Sequence, residues 1–156
     1  MVGLAGSGQY AVTARPSGPA ADALDLDARL AQVWPRFTPP VRDSLQHLLA
    51  NYRAPVTLDQ LSAVAGRTAF QLIRLFRREL GITPHAMLIR IRIQRAKALL
   101  ARGEPIAGVA ADVGFVDQTH FGRHFKRILN ETPASFRSAA RATAEAGTPS
   151  GLGWTA

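Results

Sequence analysis

Two clusters of basic residues recur along this sequence at matching positions within predicted helices. An arginine guanidinium can bond the O6 and N7 atoms of guanine in a bidentate pair, and arginine and lysine also bind phosphate oxygens. These residue types therefore suit the binding of a nucleic acid, whereas ordinary solvated surface charge is the alternative. The first cluster comprises Arg74, Arg77 and Arg78, and the second comprises Arg123, Lys126 and Arg127.

The excess positive charge of the chain lies in the same region as these clusters. The net charge is +8 over 156 residues. Basic and acidic residues balance within residues 1–40 and within residues 138–156, so 15 basic and 7 acidic residues in 41–137 supply the whole excess. Such a stretch is typical of a domain that binds a polyanion, and a generally basic protein is the other interpretation.

Other reactive side chains give no catalytic or metal-binding pattern. His120 and His124 stand four residues apart, which is a spacing of zinc ligands on helices, but Phe121 replaces the expected glutamate and no third ligand is evident. The chain has no cysteine, which excludes disulfides, thiolate metal sites and the reactive cysteine of a DNA alkyl-repair enzyme. A phosphate-binding glycine loop and a nucleophile elbow are also absent from the sequence. We predict no catalytic residue, no metal, no cofactor and no enzymatic activity.

Helix-start and helix-stop signals place the first basic cluster on the second of two short helices. Thr57–Gln60 and Thr68–Gln71 are capping-box patterns, each of which opens an apolar-periodic segment. A glycine ends each segment, Gly66 the first and Gly81 the second. Two helices joined by so tight a turn indicate a helix-turn-helix unit at about residues 57–81.

The same unit occurs again at about residues 105–130. Two shifts relate the copies, and they differ by one residue because the turn tolerates an insertion. The shift of 48 places Leu58, Leu61, Ala65 and Gly66 on Ile106, Val109, Val113 and Gly114. The shift of 49 places Thr68, Leu72, Arg74, Phe76, Arg77, Arg78, Leu80, Thr83 and Pro84 on Asp117, Phe121, Arg123, Phe125, Lys126, Arg127, Leu129, Thr132 and Pro133. A duplication with no role in nucleic-acid binding is the alternative to a repeated DNA-binding unit.

A long helix at about residues 84–101 is predicted to join the two units. Thr83-Pro84 opens it and Gly103 stops it. Residues 88–93 alternate like a strand, but strong helix formers follow directly and no turn signal intervenes. We therefore predict an all-α fold with two tandem helix-turn-helix subdomains joined by a long linker helix.

The folded domain is predicted to span residues 38–138, between two flexible ends. Residues 1–37 are rich in Gly, Ala, Ser and Pro, and residues 139–156 are small and Gly-rich. Within the N-terminal segment, four apolar residues have the spacing of a short helix: Leu26, Leu30, Val33 and Trp34. No apolar run approaches the roughly 20 residues of a membrane span, and the N-terminus lacks the features of a secretory signal. We expect a cytoplasmic protein with no membrane partner.

The repeated pattern resembles the DNA-binding domain of the AraC/XylS family of transcription regulators, from about Val56 to Arg137. The signature consists of residues 92–100, Pro105-Ile106, Val109-Ala110, Val113-Gly114-Phe115, Phe121, Phe125-Lys126, Thr132-Pro133 and Phe136-Arg137. The resemblance implies seven helices. Many members also carry a large effector-binding domain, for which the first forty residues are too few. Either a short stand-alone member or a truncated gene would give this arrangement.

The resemblance also implies which residues contact DNA. The base-reading residues are Phe70, Ile73 and Arg74 in the first unit and Gln118, Thr119, His120 and Arg123 in the second. Arg77, Arg78, Lys126 and Arg127 lie further along the helices, so their position predicts that they bind phosphates. Thr68 is also predicted to bind a phosphate. Helical geometry separates Phe70 and Arg74 from the predicted core, although partial burial of Phe70 against a neighbouring helix is the alternative. On the linker helix, Arg90, Arg92 and Arg95 are either further phosphate contacts or solvated surface charges.

These observations predict a sequence-specific transcription regulator that places residues 68–80 and 117–130 in successive major grooves of promoter DNA. The two contact faces differ, so we expect one monomer to bind one asymmetric site of double-stranded DNA at the nucleoid. RNA polymerase is left open as a further partner. A nonspecific architectural DNA-binding protein and an enzyme acting on nucleic acid are the competing classes. The operator, the inducer and the direction of regulation do not follow from the sequence.

Overall fold

The structure, a computed structural model, describes residues 25–146. Within that range the chain is helical and contains no strand, which confirms the all-α prediction. None of the helices in residues 25–146 has the length and apolar character that crossing a membrane requires. The helices are α1 (Asp25–Val33), α2 (Pro39–Asn51), α3 (Leu58–Ala65), α4 (Ala69–Leu80), α5 (Pro84–Ala101), α6 (Ile106–Asp112), α7 (Gln118–Leu129) and α8 (Pro133–Ala146), with a 3-10 turn at Trp34–Arg36.

The first helix-turn-helix unit, α3 and α4, packs with α1, α2 and part of α5 around one apolar core. Leu72 and Phe76 of α4 are fully buried there. Complete burial of a large side chain typically contributes about 1.5–3 kcal/mol. The buried residues of this first core are Leu30, Phe37, Val41, Leu45, Leu48, Leu61, Ala65, Leu72, Phe76, Met87, Leu88 and Ile91.

The second helix-turn-helix unit, α6 and α7, packs with the rest of α5 and with α8 around a separate core. The rings of Phe121 and Phe125 lie 5.5 Å apart, and the ring of Phe136 on α8 lies 5.7 Å from that of Phe125. These edge-on contacts between aromatic rings add to the burial of their apolar surface. The buried residues of this second core are Ile89, Ile93, Ala96, Leu100, Val109, Ala110, Val113, Phe115, Phe121, Phe125 and Phe136.

The linker helix α5 supplies residues to both cores, which explains its strand-like sequence pattern. Leu88 and Ile91 face the first core, whereas Ile89 and Ile93 face the second. A helix buried on most of its circumference is hydrophobic nearly all round and loses the period of an amphipathic helix. The two helix-turn-helix units are therefore joined through one shared helix.

Both ends of the helical domain extend beyond residues 38–138. Leu30 of α1 and Phe37 are buried in the first core, so residues 25–37 pack on the domain, although they belong to the segment predicted to be flexible. The short helix that the spacing of Leu26, Leu30, Val33 and Trp34 predicted within that segment is present as α1, with Trp34 in the turn that follows it. Residues 139–146 continue α8, because they include five alanines and Ala140 is buried. The remainder of the predicted flexible ends lies outside the described residues.

Candidate nucleic-acid interface

Local capping fixes where α4 begins and ends; this is the helix of the first unit predicted to contact DNA, and we call such a helix the recognition helix of its unit. The backbone N–H of Gln71 donates to the Thr68 hydroxyl at 3.3 Å, and the Thr68 N–H donates to the Gln71 side chain at 3.1 Å. At the other end Gly81 adopts a left-handed conformation with φ of 71°, which glycine reaches without steric cost. Because Leu72 and Phe76 are anchored in the core, the opposite face of α4 is turned outward.

Two predicted base-reading residues of α4 form an exposed pair. Phe70 is 69% exposed, so the alternative of burial against a neighbouring helix is wrong. The Arg74 guanidinium lies 5.7 Å from the centre of the Phe70 ring, in a cation–π contact. Ile73 is half-buried beside them. This arrangement presents a bidentate donor and an apolar ring on one patch of the surface.

The predicted phosphate-binding residues of α4 differ in their surroundings. Arg77 is exposed, whereas Arg78 is exposed but forms an ion pair with Glu79 at 3.0 Å. Glu79 also accepts hydrogen bonds from the backbone N–H and the hydroxyl of Thr38, each at 2.9 Å, at the start of α2. Thr68 is exposed, and its hydroxyl keeps a proton to donate after accepting the capping bond.

Different residues cap α7, the second recognition helix. Asp117 accepts a hydrogen bond from the backbone N–H of His120 at 2.6 Å, and Asn130 ends the helix with φ of 59°. Phe121 and Phe125 are fully buried. The exposed face of α7 is therefore determined in the same way as that of α4, because burial of the inner side chains leaves the opposite face of the helix in contact with solvent. Six predicted contact residues are exposed on α7: Gln118, Thr119, His120, Arg123, Lys126 and Arg127.

A hydrogen-bonded chain of three side chains runs along the outer face of α7. Nη2 of Arg127 lies 2.9 Å from Nδ1 of His124, and the Nε2 atoms of His124 and His120 lie 2.9 Å apart. A guanidinium only donates, so Nδ1 of His124 accepts and its proton lies on Nε2. His124 then donates to Nε2 of His120, so Nδ1 of His120 carries a proton. His120 thereby offers a hydrogen-bond donor.

The surroundings of His124 favour its neutral form. Burial lowers the pKa of His124, and the nearby charges of His120, Arg127 and His85 lower it further. A protonated His124 would also lose the acceptor that Arg127 uses. Within residues 25–146, no group of three or more His, Asp or Glu side chains is placed to hold a metal ion.

Two arginines of the linker helix form contacts within the protein. Arg92 is only 8% exposed, and its guanidinium donates to the carbonyl oxygens of Tyr52 and Ala54 at 2.7 and 3.0 Å. Arg95 pairs with Asp27 of α1 through two hydrogen bonds of 2.7 and 3.0 Å. The expectation of phosphate contact or solvated charge was wrong for Arg92, because α5 is covered on nearly every side.

Sequence reasoning missed two exposed residues next to the recognition helices. Arg67 and Val116 immediately precede the N-caps Thr68 and Asp117, and Val116 is 95% exposed. The shift of 49 residues relates them, so the internal repeat carried the signal. A wholly exposed apolar residue beside a recognition helix is available to contact a thymine methyl group or a deoxyribose.

Comparison with known proteins matches this arrangement. Residues 61–139 match the family described as a helix-turn-helix domain. The chain is 37% identical over 81 residues to the HTH-type transcriptional regulator MtrA of Neisseria gonorrhoeae, which covers 51% of this chain and 27% of MtrA. The chain therefore spans about a quarter of the length of that curated relative.

Solved structures of similar fold cover most of the helical domain. The DNA-binding domain of AdpA, solved in complex with a target DNA, has a TM-score of 0.65 and 28% identity, covering 70% of this chain and 100% of that one. A probable AraC family transcriptional regulator from Rhodopseudomonas palustris has a TM-score of 0.62 and 28% identity, covering 66% of this chain and 98% of that one. These similarities agree with the duplicated helix-turn-helix arrangement.

Proposed function

Because the chain belongs to the AraC-type helix-turn-helix family, we propose that it is a sequence-specific regulator of transcription that inserts α4 and α7 into successive major grooves of double-stranded DNA. One observation carries the proposal. The inner face of each helix is fixed in a core by a buried phenylalanine, so the opposite face is exposed. That exposed face carries an arginine at the equivalent position in each helix, Arg74 in α4 and Arg123 in α7. A regulator of this kind acts on the nucleoid in the cytoplasm.

In this proposal the first patch reads bases through Phe70, Ile73 and Arg74. The cation–π contact holds the guanidinium beside the ring, which restricts its rotamers before DNA arrives. Arginine then pairs with a guanine, while the exposed ring covers a thymine methyl group. The second patch reads different bases through Gln118, Thr119, His120 and Arg123, with His120 as a donor to an acceptor atom.

Phosphate contacts fix the helices on the duplex. Arg77, Lys126 and Arg127 lie three or four residues beyond the arginine that reads bases on the same helix, where they can reach the backbone. Arg78 exchanges its ion pair with Glu79 for a phosphate, and the Thr68 hydroxyl donates to a phosphate at the start of α4. Such contacts set affinity in all sequences alike, whereas the two patches set specificity.

The asymmetry of the two patches supports a monomer on an asymmetric site. The linker helix α5 has 18 residues and is about 27 Å long at a rise of about 1.5 Å per residue. This length is of the order of the roughly 34 Å between major grooves on one face of DNA. A nonspecific architectural protein would require neither two different patches nor a fixed spacing.

Selection of binding sites from random DNA tests the proposal. A regulator should bind its selected site about a thousandfold or more tightly than random DNA, and the site should not be palindromic. Arg74→Ala and Arg123→Ala should each weaken binding to that site by about 1–3 kcal/mol, with little change on random DNA. Arg141→Ala is the matched control, since Arg141 is an exposed arginine of α8 that pairs with Glu145.

Two outcomes would count against this function. Failure of selection to enrich any sequence would favour the architectural alternative. Equal losses on selected and random DNA in the two arginine variants would reassign Arg74 and Arg123 to phosphate contacts. Sedimentation of the complex checks the stoichiometry, because two chains on a palindrome would contradict the monomer.

A further inference from the structure

The segments that precede α3 and α7 lie close together, and both contact one side chain of the linker helix. The loop between α2 and α3, residues 52–57, packs on the core of the first unit, and the turn between α6 and α7, residues 113–117, belongs to the second unit. The two segments meet at the linker residue Arg92. We name this contact the junction and define it by Tyr52, Arg53, Ala54, Arg92, Gly114 and Phe115.

Arg92 connects the two segments of the junction. Its guanidinium donates to the carbonyl oxygens of Tyr52 and Ala54 at 2.7 and 3.0 Å. The same group lies 5.8 Å from the centre of the Phe115 ring, which belongs to the second core. Burial lowers the pKa of Arg92, which reflects how far the guanidinium has been withdrawn from water. One side chain therefore binds the loop of one unit and the turn of the other.

Gly114 makes the junction a close contact between backbones. A Cβ atom at Gly114 would lie 2.6 Å from the carbonyl oxygen of Arg53 and 2.9 Å from that of Tyr52. Gly66, its equivalent in the first unit, also has a positive φ, but a Cβ atom there would meet nothing within 4 Å. Conformation alone favours glycine at both positions, whereas only Gly114 must be glycine for a neighbour to fit.

Tyr52 adds an apolar contact to the junction. It is half-buried and packs against both the first and the second core. Its hydroxyl accepts a hydrogen bond from Nε of Arg53 at 3.1 Å, and the Arg95 guanidinium lies 5.9 Å from its ring. The junction thus combines hydrogen bonds, an aromatic contact and close backbone packing.

We propose that Arg92 is a positioning residue, which fixes the orientation of α7 relative to α4 by holding the loop of the first unit against the turn of the second. A single connecting helix leaves two units free to bend or twist about it, while a second attachment removes that freedom. The inference rests on the proposed function only in its consequence for DNA: a fixed orientation makes binding depend on the spacing of the two half-sites.

The first experiment measures the orientation without DNA. The chain has no cysteine, so Ala63→Cys and Ala111→Cys introduce the only two sites for spin labels. Both alanines are exposed, and they occupy equivalent positions on α3 and α6. Pulsed electron paramagnetic resonance should give one narrow distribution of the distance between the two spin labels in the labelled parent. Arg92→Ala should broaden the distance distribution, and Gly114→Ala should broaden it or shift its mean distance. The width for Arg92→Lys should fall between the widths for the parent and for Arg92→Ala. Gly66→Ala, which perturbs a turn outside the junction, should leave the distribution narrow.

The second experiment measures the ratio of affinities for the selected site and for the same site with one base pair inserted between its half-sites. The insertion rotates one half-site by about 34° and moves it by about 3.4 Å relative to the other. The parent should lose about tenfold or more in affinity, and Arg92→Ala or Gly114→Ala should lose less than about threefold. Each ratio uses one protein sample, so a partly unfolded fraction cancels.

These measurements separate the two proposals. A distance distribution that is equally narrow and centred at the same distance in the parent, Arg92→Ala and Gly114→Ala would overturn the positioning role, whatever the protein binds. If Arg92→Ala does not melt cooperatively, Arg92→Lys and Gly114→Ala decide the question by the same criteria. A broadened distribution together with no selected DNA site would support the junction and refute the proposed function.

Discussion

The two helix-turn-helix units have matching buried faces and different exposed faces. Phe76 and Phe125 occupy equivalent positions and are both fully buried. On the exposed side, Phe70 of α4 corresponds to Thr119 of α7, and a glutamine used in capping corresponds to His120. Packing restricts the buried positions of a repeat to a narrow set of side chains, whereas the exposed positions are free to diverge. One scaffold therefore presents two different surfaces in a single chain.

A second difference concerns the turns. The turn of the first unit at Gly66 faces open space, while the turn of the second at Gly114 packs on the loop that precedes α3. The second unit therefore packs directly on the loop before α3, in addition to its covalent connection through the linker helix. Equivalent residues in a duplicated unit acquire different roles when one copy meets the other.

Among substitutions at equivalent positions of the two units, removal of the central aromatic ring from either core should have the largest effect on stability. Phe76→Ala and Phe125→Ala should each lower the free energy of unfolding by about 3–5 kcal/mol, because both rings are fully buried. Chemical denaturation monitored by circular dichroism measures the loss. A variant that unfolds like the parent and yet loses DNA binding would place that ring on the contact face and contradict the proposed orientation of its helix.

Alanine substitutions at the two turn glycines should differ in cost. Gly66→Ala should lower the free energy of unfolding by about 1–2 kcal/mol, the cost of a left-handed conformation for a residue with a Cβ atom. Gly114→Ala should lower it by about 1–3 kcal/mol more, because the added atom also overlaps the carbonyl oxygen of Arg53. Equal losses would mean that the loop moves aside at no cost.

Replacing exposed residues of α7 with those at the equivalent positions of α4 tests whether the difference between the two helices makes the DNA site asymmetric. The double variant Thr119→Phe and His120→Gln should shift the half-site read by α7 towards that read by α4. Each base pair affected should change the free energy of binding by about 1–3 kcal/mol, and site selection repeated with the variant measures the change. Lys126→Arg, the equivalent replacement at a proposed phosphate contact, is the control and should leave the preference unaltered.

The smallest expected effect is the dependence of stability on pH that His124 of α7 contributes. The pKa of His124 in the folded state lies below its ordinary value of about 6.5. As the pH falls through about 6.5, the unfolded chain binds a proton at this position before the folded chain does. The free energy of unfolding should therefore decrease with falling pH, until the pH reaches the folded-state pKa.

A matched substitution isolates this contribution. His124→Leu places on α7 the residue that α4 has at the equivalent position, Leu75, and should reduce the slope of stability against pH between pH 8 and pH 5. Urea unfolding at four pH values measures the slope in the parent and in the variant. An unchanged slope would assign the dependence to other titrating groups.

Much of the fold followed from local signals in the sequence. Both capping boxes, at Thr57 and Thr68, are present in the structure because the residues that form them lie only three positions apart. The linker helix was harder, since a helix shared by two cores has no single apolar face. The exposed pair of Phe70 and Arg74 could be placed by helical spacing alone, because the burial of Leu72 and Phe76 determines which face is free.

Features that depend on distant segments did not follow from the sequence. The burial of Arg92 is set by carbonyl oxygens about forty positions earlier, and the pairing of Arg95 is set by Asp27 of α1. Neither partner has a spacing that a local pattern could reveal. The chain of hydrogen bonds through His124 was missed for another reason, because two histidines four residues apart fit a metal site as well as a direct contact.

Because α5 contributes to both cores, its position affects the order in which parts of the domain unfold. Each core lacks one wall without this helix, so neither unit keeps a complete core while α5 is unwound. Opening of one unit should therefore expose apolar surface of the other and lower the barrier to its opening as well. Backbone amides in the middle of α5, around Ile91 and Ile93, should be the slowest in the molecule to exchange their hydrogens with deuterium from the solvent, because they become accessible only when the whole domain unfolds.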